Sequence, residues 1–79
     1  MERYRNLSGE SGIDAYEIGA DFIKVRFRTG VVYWYTEASA GAAHIEELKR
    51  LARRGRGLST YISQHADVRD GYARKEPDD

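Results

Sequence analysis

Ile23, Val25 and Phe27 alternate with Lys24, Arg26 and Arg28, the period of two expected of a strand with one wet face. The run that follows, VVYWYT at residues 31–36, is β-branched and aromatic throughout, so its own pattern leaves the inward face open. The turn between the two runs decides it. A loop of Thr29 and Gly30 alone would demand a positive φ at a β-branched threonine. A loop of Arg28, Thr29 and Gly30 needs positive φ only at the glycine and closes with a bulge. That register sets Phe27 against Val31, Val25 against Tyr33 and Ile23 against Tyr35. The expected inner face is therefore Ile23, Val25, Phe27, Val31, Tyr33 and Tyr35. The outer face is Lys24, Arg26, Val32, Trp34 and Thr36.

Upstream, residues 13–18 read as a first strand. A loop of Gly19, Ala20, Asp21 and Phe22 pairs Ile18 with Ile23 and Tyr16 with Val25, and sets Glu17 opposite Lys24. The apolar side of this meander needs a cover. Ile45, Leu48, Leu51 and Ala52 recur at helical spacing, with Glu46, Glu47, Lys49, Arg50 and Arg53 around the other side. Ser39 is the expected N-cap, with Gly41 competing for the role, Glu46 and Arg50 form the expected i,i+4 pair, and Gly55 stops the helix. After Gly57, Ser59 caps a second helix with the stripe Tyr61, Ile62, His65, Val68 and Tyr72, and Gly71 weakens its far end. The expected fold class is α+β, a three-stranded antiparallel β-meander with two C-terminal α-helices packed on one face. This βββαα domain, three strands then two helices, spans residues 11–73. A flexible N-terminal arm at 1–10, anchored at most by Tyr4 and Leu7, and a disordered charged tail at 74–79 flank it.

Charge narrows the choice of partner. Thirteen Lys and Arg balance thirteen Asp and Glu, so no global field draws in nucleic acid and any such binding is local. The absence of cysteine excludes disulfide and thiolate chemistry and fits a reducing cytoplasm. No apolar run has the length of a membrane span and no signal-peptide pattern opens the chain, so a cytoplasmic location and no membrane partner are expected. Trp34, with Lys24 opposite, Arg26 diagonal and Val32 beside it, is the candidate binding surface, a platform for bases of single-stranded RNA or a contact for a protein. Arg50, Arg53, Arg54 and Arg56 crowd one helix end as a candidate phosphate or partner contact.

Catalysis finds no foothold in this pattern. His44 and His65 have no carboxylate or cysteine at ligand spacing, so no metal or other cofactor is expected, and His65 is read as a half-buried member of the helix–helix seam. The carboxylates scatter over polar faces, and Ser59 and Thr60 read as capping residues. The chain is therefore expected to be no enzyme and to take no small-molecule substrate. The expected function is a small interaction module that binds another protein or a second copy of itself, for instance as a phage or mobile-element inhibitor of a host complex. The alternative is an RNA-binding module using Trp34 and the basic helix end.

Phe27, Gly30, Tyr33 and Tyr35 make the pattern Phe-x-x-Gly-x-x-Tyr-x-Tyr, followed by a helix and by Gly55-Arg56-Gly57-Leu58-Ser59-Thr60-Tyr61-Ile62. Together these motifs resemble the KTSC domain, a small module that occurs alone in bacterial and phage proteins and at the C-terminus of some lysyl-tRNA synthetases. The resemblance covers residues 11–72. It implies inward-facing tyrosines at 33 and 35, and its synthetase context implies RNA binding. Ala38 and Ser39 stand where many members carry Val-Pro.

Overall fold

The computed structural model describes residues 1–7, 9 and 11–77. Its sheet is antiparallel and runs in chain order: β1 (Glu2–Arg3), β2 (Ile13–Ile18), β3 (Phe22–Phe27), β4 (Val31–Thr36) and β5 (Arg74–Pro77). Helices α1 (Glu37–Ala40), α2 (Ala42–Arg54), α3 (Leu58–Gln64) and α4 (Ala66–Arg69) come between β4 and β5. The class is α+β, but among the described residues the sheet has five strands instead of three and the helical part is four pieces instead of two. No described helix is long and apolar enough to cross a membrane.

The central hairpin follows its turn chemistry. Gly30 takes φ 89° and donates its amide to the Phe27 carbonyl at 2.9 Å, while Ile23 pairs with Tyr35 and Val25 with Tyr33. The next hairpin likewise pairs Ile18 with Ile23, Tyr16 with Val25 and Glu17 with Lys24, although Phe22 belongs to β3 and not to the loop. One feature of β2 escapes a simple period of two. Ile13 and Tyr16 are three apart yet both join the core, because a bulge between Ile13 and Ala15 returns Ile13 to the inner face opposite Phe27.

The core lies between the inner face and the helices, where Ile23, Val25 and Tyr35 meet Ile45, Leu48, Leu58, Ile62 and Val68. Helix α2 ends as its sequence implies: Gly55 is left-handed at φ 81° and its amide reaches the carbonyls of Leu51 and Ala52. Its start is different. Thr36 caps the one-turn α1, exchanging hydrogen bonds with Ser39 in a capping box, so Ser39 is the third residue of α1 and Gly41 precedes α2. Ser59 does not cap either, since α3 begins at Leu58 behind a left-handed Gly57 at φ 86°. The expected long stripe from Tyr61 to Tyr72 is broken at His65, whose extended backbone separates α3 from α4.

Both flanks are corrections. The arm expected to be flexible supplies β1, and Tyr4 is 3% exposed with its hydroxyl accepting the Leu58 amide at 3.3 Å. The Leu7 amide donates to the Gly55 carbonyl at 2.7 Å, although the Leu7 side chain stays exposed. The charged tail supplies β5 against β4. Residues 8, 10, 78 and 79, the remainder of those two expectations, lie outside the described residues. On α2, Arg50 pairs with Glu47 instead of Glu46, and Lys49 is buried, its ammonium donating to the Ala20 carbonyl at 3.0 Å. A long aliphatic stem lets that lysine stay buried while its charge reaches the β2–β3 loop.

Candidate binding cleft and the outer face

On the outer face the candidate residues come together, and they spend their charges on one another. Lys24 lies 3.4 Å from Glu17 and places its ammonium 3.9 Å from the centre of the Trp34 ring. Trp34 donates its indole N–H to Glu76 at 3.0 Å and stacks on Phe22 with ring centres 5.6 Å apart. Arg26 holds Asp14 at 2.8 Å and Arg74 holds Glu76 at 3.0 Å. Val32, expected in the open, is 3% exposed, flanked in register by Arg26 and by Glu76 of the unforeseen β5. Trp34 is half-buried for the same reason. The face is thus a neutral ladder with one side of its indole already covered by a cation.

The arginines of the helix end divide. Arg50 is engaged by Glu47, whose carboxyl is held below its usual range by that hydrogen bond. Arg53, Arg54 and Arg56 are exposed, and the N-terminal arm adds Arg5, whose guanidinium donates to the Arg53 carbonyl.

The inner face holds the feature that sequence reasoning missed. Helix α2 covers the middle of β3 and β4, but α3 has seven residues and stops at His65. The hairpin end of the sheet is consequently only partly roofed, and Phe27, Val31 and Tyr33 remain half-buried. Between this end, α3 and the connection into β5 lies an open cleft of about 720 Å³. Its aromatic wall is Phe27, Tyr33, Tyr35 and Tyr72, with Ile62 and Ser59 opposite from α3. Tyr33 meets Phe27 and Tyr72 edge-on, at centre distances of 5.3 and 5.0 Å, and stacks on Tyr35 at 6.2 Å. Arg28, Arg69 and Lys75 line the rim against one carboxylate, Asp70.

Tyr35 forms the floor. It is 1% exposed, and no described residue bonds its hydroxyl, yet no fully buried side-chain polar atom lacks a partner. The small area it exposes therefore falls on the hydroxyl, at the bottom of the cleft. Burial, reinforced by the neighbouring Tyr33 and Tyr72 phenols, pushes its ionisation far above the ordinary tyrosine value of 10.0.

A second cluster joins three helices. His44 of α2 sets Nδ1 2.6 Å from the Tyr61 hydroxyl of α3 and Nε2 2.7 Å from the Asp67 carboxylate of α4. An ionised carboxylate only accepts, so Nε2 carries a proton and, in the neutral ring, Nδ1 accepts the Tyr61 proton. His65 is half-buried and stacks on Tyr61 with ring centres 4.0 Å apart. No sequence spacing pointed to this set, because its members come from separate helices. Among the described residues no group of three His, Asp or Glu is placed to hold a metal ion.

Comparison with family models, with curated proteins and with solved structures yields no match.

Proposed function

We propose that the chain is a non-catalytic interaction module that captures a segment of a partner protein in the cleft between the β3–β4 hairpin and α3. The observation that carries this reading is the contrast between the two faces of the sheet. Outer-face charges and the indole N–H are matched within the molecule, whereas the cleft offers ring edges, the rim cations Arg28 and Lys75 and a floor hydroxyl with no such matching among the described residues. The cleft's size suits a few side chains of a docked segment, since ligand sites run from roughly 300 to 1,000 Å³. Phe27, Tyr33, Tyr35, Ser59 and Ile62, which belong to the two motifs that resemble the KTSC domain, all line it.

The Tyr61–His44–Asp67 chain supports a structural role better than a catalytic one. Burial first, and the nearby Glu47 and Asp67 carboxylates after it, raise the Tyr61 ionisation, so the phenol is held as a donor and not as a nucleophile.

Peptide-library selection tests the reading. Ser63 is exposed and lines the cleft, so Ser63→Trp fills the mouth without touching the core. Peptides selected on the native chain are expected to shift the amide resonances of Val31, Tyr33 and Ile62 and to lose binding to the Ser63→Trp variant. Failure to select any peptide, or ligands that shift only Trp34 and Lys24 or only Arg53 to Arg56, would overturn it.

A further inference from the structure

We infer that the segment taken by the cleft is acidic, presenting a carboxylate side chain to the tyrosine hydroxyls and rim cations and a neighbouring apolar side chain to the ring wall. The inference rests on the cleft being the recognition site and adds the chemistry of what it recognises.

A count of donors and acceptors carries it. The hydroxyls of Tyr33, Tyr35 and Tyr72 meet no hydrogen-bond partner among the described residues. Arg28 and Lys75 make no ion pair among them either, Lys75 lying 5.5 Å from the Tyr33 ring. Guanidinium and ammonium groups only donate. The one acceptor-only side chain of the lining, Asp70, already lies 3.6 Å from Arg69. A lining so rich in donors is complementary to a group that only accepts, and among peptide side chains ionised Asp and Glu are of that kind, with the added strength of charge. Tyr35 sharpens the choice. It is the most buried residue of the lining, at 1% exposed, and its phenol stays protonated, and so able to donate, across the neutral range.

The rings argue for an apolar side chain beside that carboxylate and against a nucleobase. A base stacks on an open ring face. The Tyr33 ring packs against Tyr35, lies beneath Lys75, and meets Phe27 and Tyr72 at interplanar angles of 76° and 90°. Around Tyr33 the result is a corrugated wall that fits aliphatic or aromatic side chains by edge contacts.

Three short peptides of equal apolar content, Ac-Glu-Glu-Leu-Phe-Glu-NH2 and its all-Gln and all-Lys counterparts, test the inference on the full chain by amide-resonance titration, with adenosine monophosphate as a further probe. The acidic peptide is expected to shift Val31, Tyr33 and Ile62 and to bind about tenfold or more tighter than the Gln peptide, the scale of charge-assisted hydrogen bonds. That preference should shrink as salt rises and in the exposed Arg28→Gln variant. Tyr35→Phe should weaken the acidic peptide and leave the Gln peptide unchanged. Equal binding of the Glu and Gln peptides, or preference for the Lys peptide, overturns the acidic inference while leaving the cleft as a protein-binding site. Cleft shifts with adenosine monophosphate alone, or with none of the probes, overturn both.

Discussion

The ammonium of Lys24 lies 3.9 Å from the centre of the Trp34 ring, directly across the β3–β4 ladder. The pair is therefore internal, and its effect belongs to stability. Lys24→Gln removes both this contact and the ion pair with Glu17, and is expected to cost about 0.5–1 kcal/mol, the range of partly exposed cation–π pairs. The urea midpoint should fall with the slope unchanged. An unmoved midpoint would show that the ladder contributes nothing.

Gly71 is a packing glycine. A Cβ built there would lie 2.3 Å from the Asp67 carbonyl oxygen and 3.0 Å from that of Ser39, and both are backbone atoms that cannot swing aside. Gly71→Ala is thus expected to destabilise by about 1–3 kcal/mol through overpacking. Amide exchange should quicken first in α4, which this glycine lets approach α1. Unchanged exchange would count against the close approach.

Tyr35 links its cleft position to alkaline stability. Its folded-state ionisation lies above the unfolded value of 10.0, chiefly through burial. The stabilising contribution is complete below that unfolded value and is lost as pH rises from there through the folded-state value. Absorbance titration of phenolate should show one tyrosine ionising only with unfolding, and Tyr35→Phe should remove that late step. A late step that survives the substitution would assign it elsewhere.

The His44 clamp acts at the other end of the scale. Its hydrogen bond holds the Asp67 carboxyl below the ordinary 3.8. A depressed carboxyl stabilises the fold above its unfolded value, and that contribution disappears as pH falls through the folded-state value. Asp67→Asn should therefore flatten the acid limb of the stability profile below about pH 4, where the unfolded carboxyl takes up its proton. A limb as steep as the native one would show that the clamp carries no linkage.

What could be read in advance was whatever local chemistry decides. Thr29 resists positive φ and Gly30 does not, and that choice alone orients Tyr33, Tyr35 and Trp34. The edge strands were illegible for a physical reason. Arg74-Lys75-Glu76-Pro77 has the charge and proline that natural edges use against further pairing, and a disordered tail has the same composition. Only the open edge of β4 distinguishes the two, and no window of sequence contains it. The cleft hid likewise: the Gly30 turn sends Phe27, Tyr33 and Tyr35 inward, but Tyr72 lies beyond α4 and not on a continuous helix, and the opening depends on α3 stopping at His65.

Removal of residues 74–79 tests how much of the outer face depends on β5. The strand supplies the Glu76 carboxylate that accepts the indole N–H, and it flanks Val32, which is 3% exposed. Without it, Trp34 loses its hydrogen bond and β4 becomes a bare edge. The loss of pairing should cost at least about 1 kcal/mol, given roughly 0.5–1.5 kcal/mol for each net hydrogen bond. Trp34 emission should move to the red as water reaches the indole, and light scattering should detect association through the apolar β4 edge. An unshifted emission from a monomeric, equally stable chain would mean that β5 is not what shelters the indole, and Lys24 with Phe22 would then account for its burial alone.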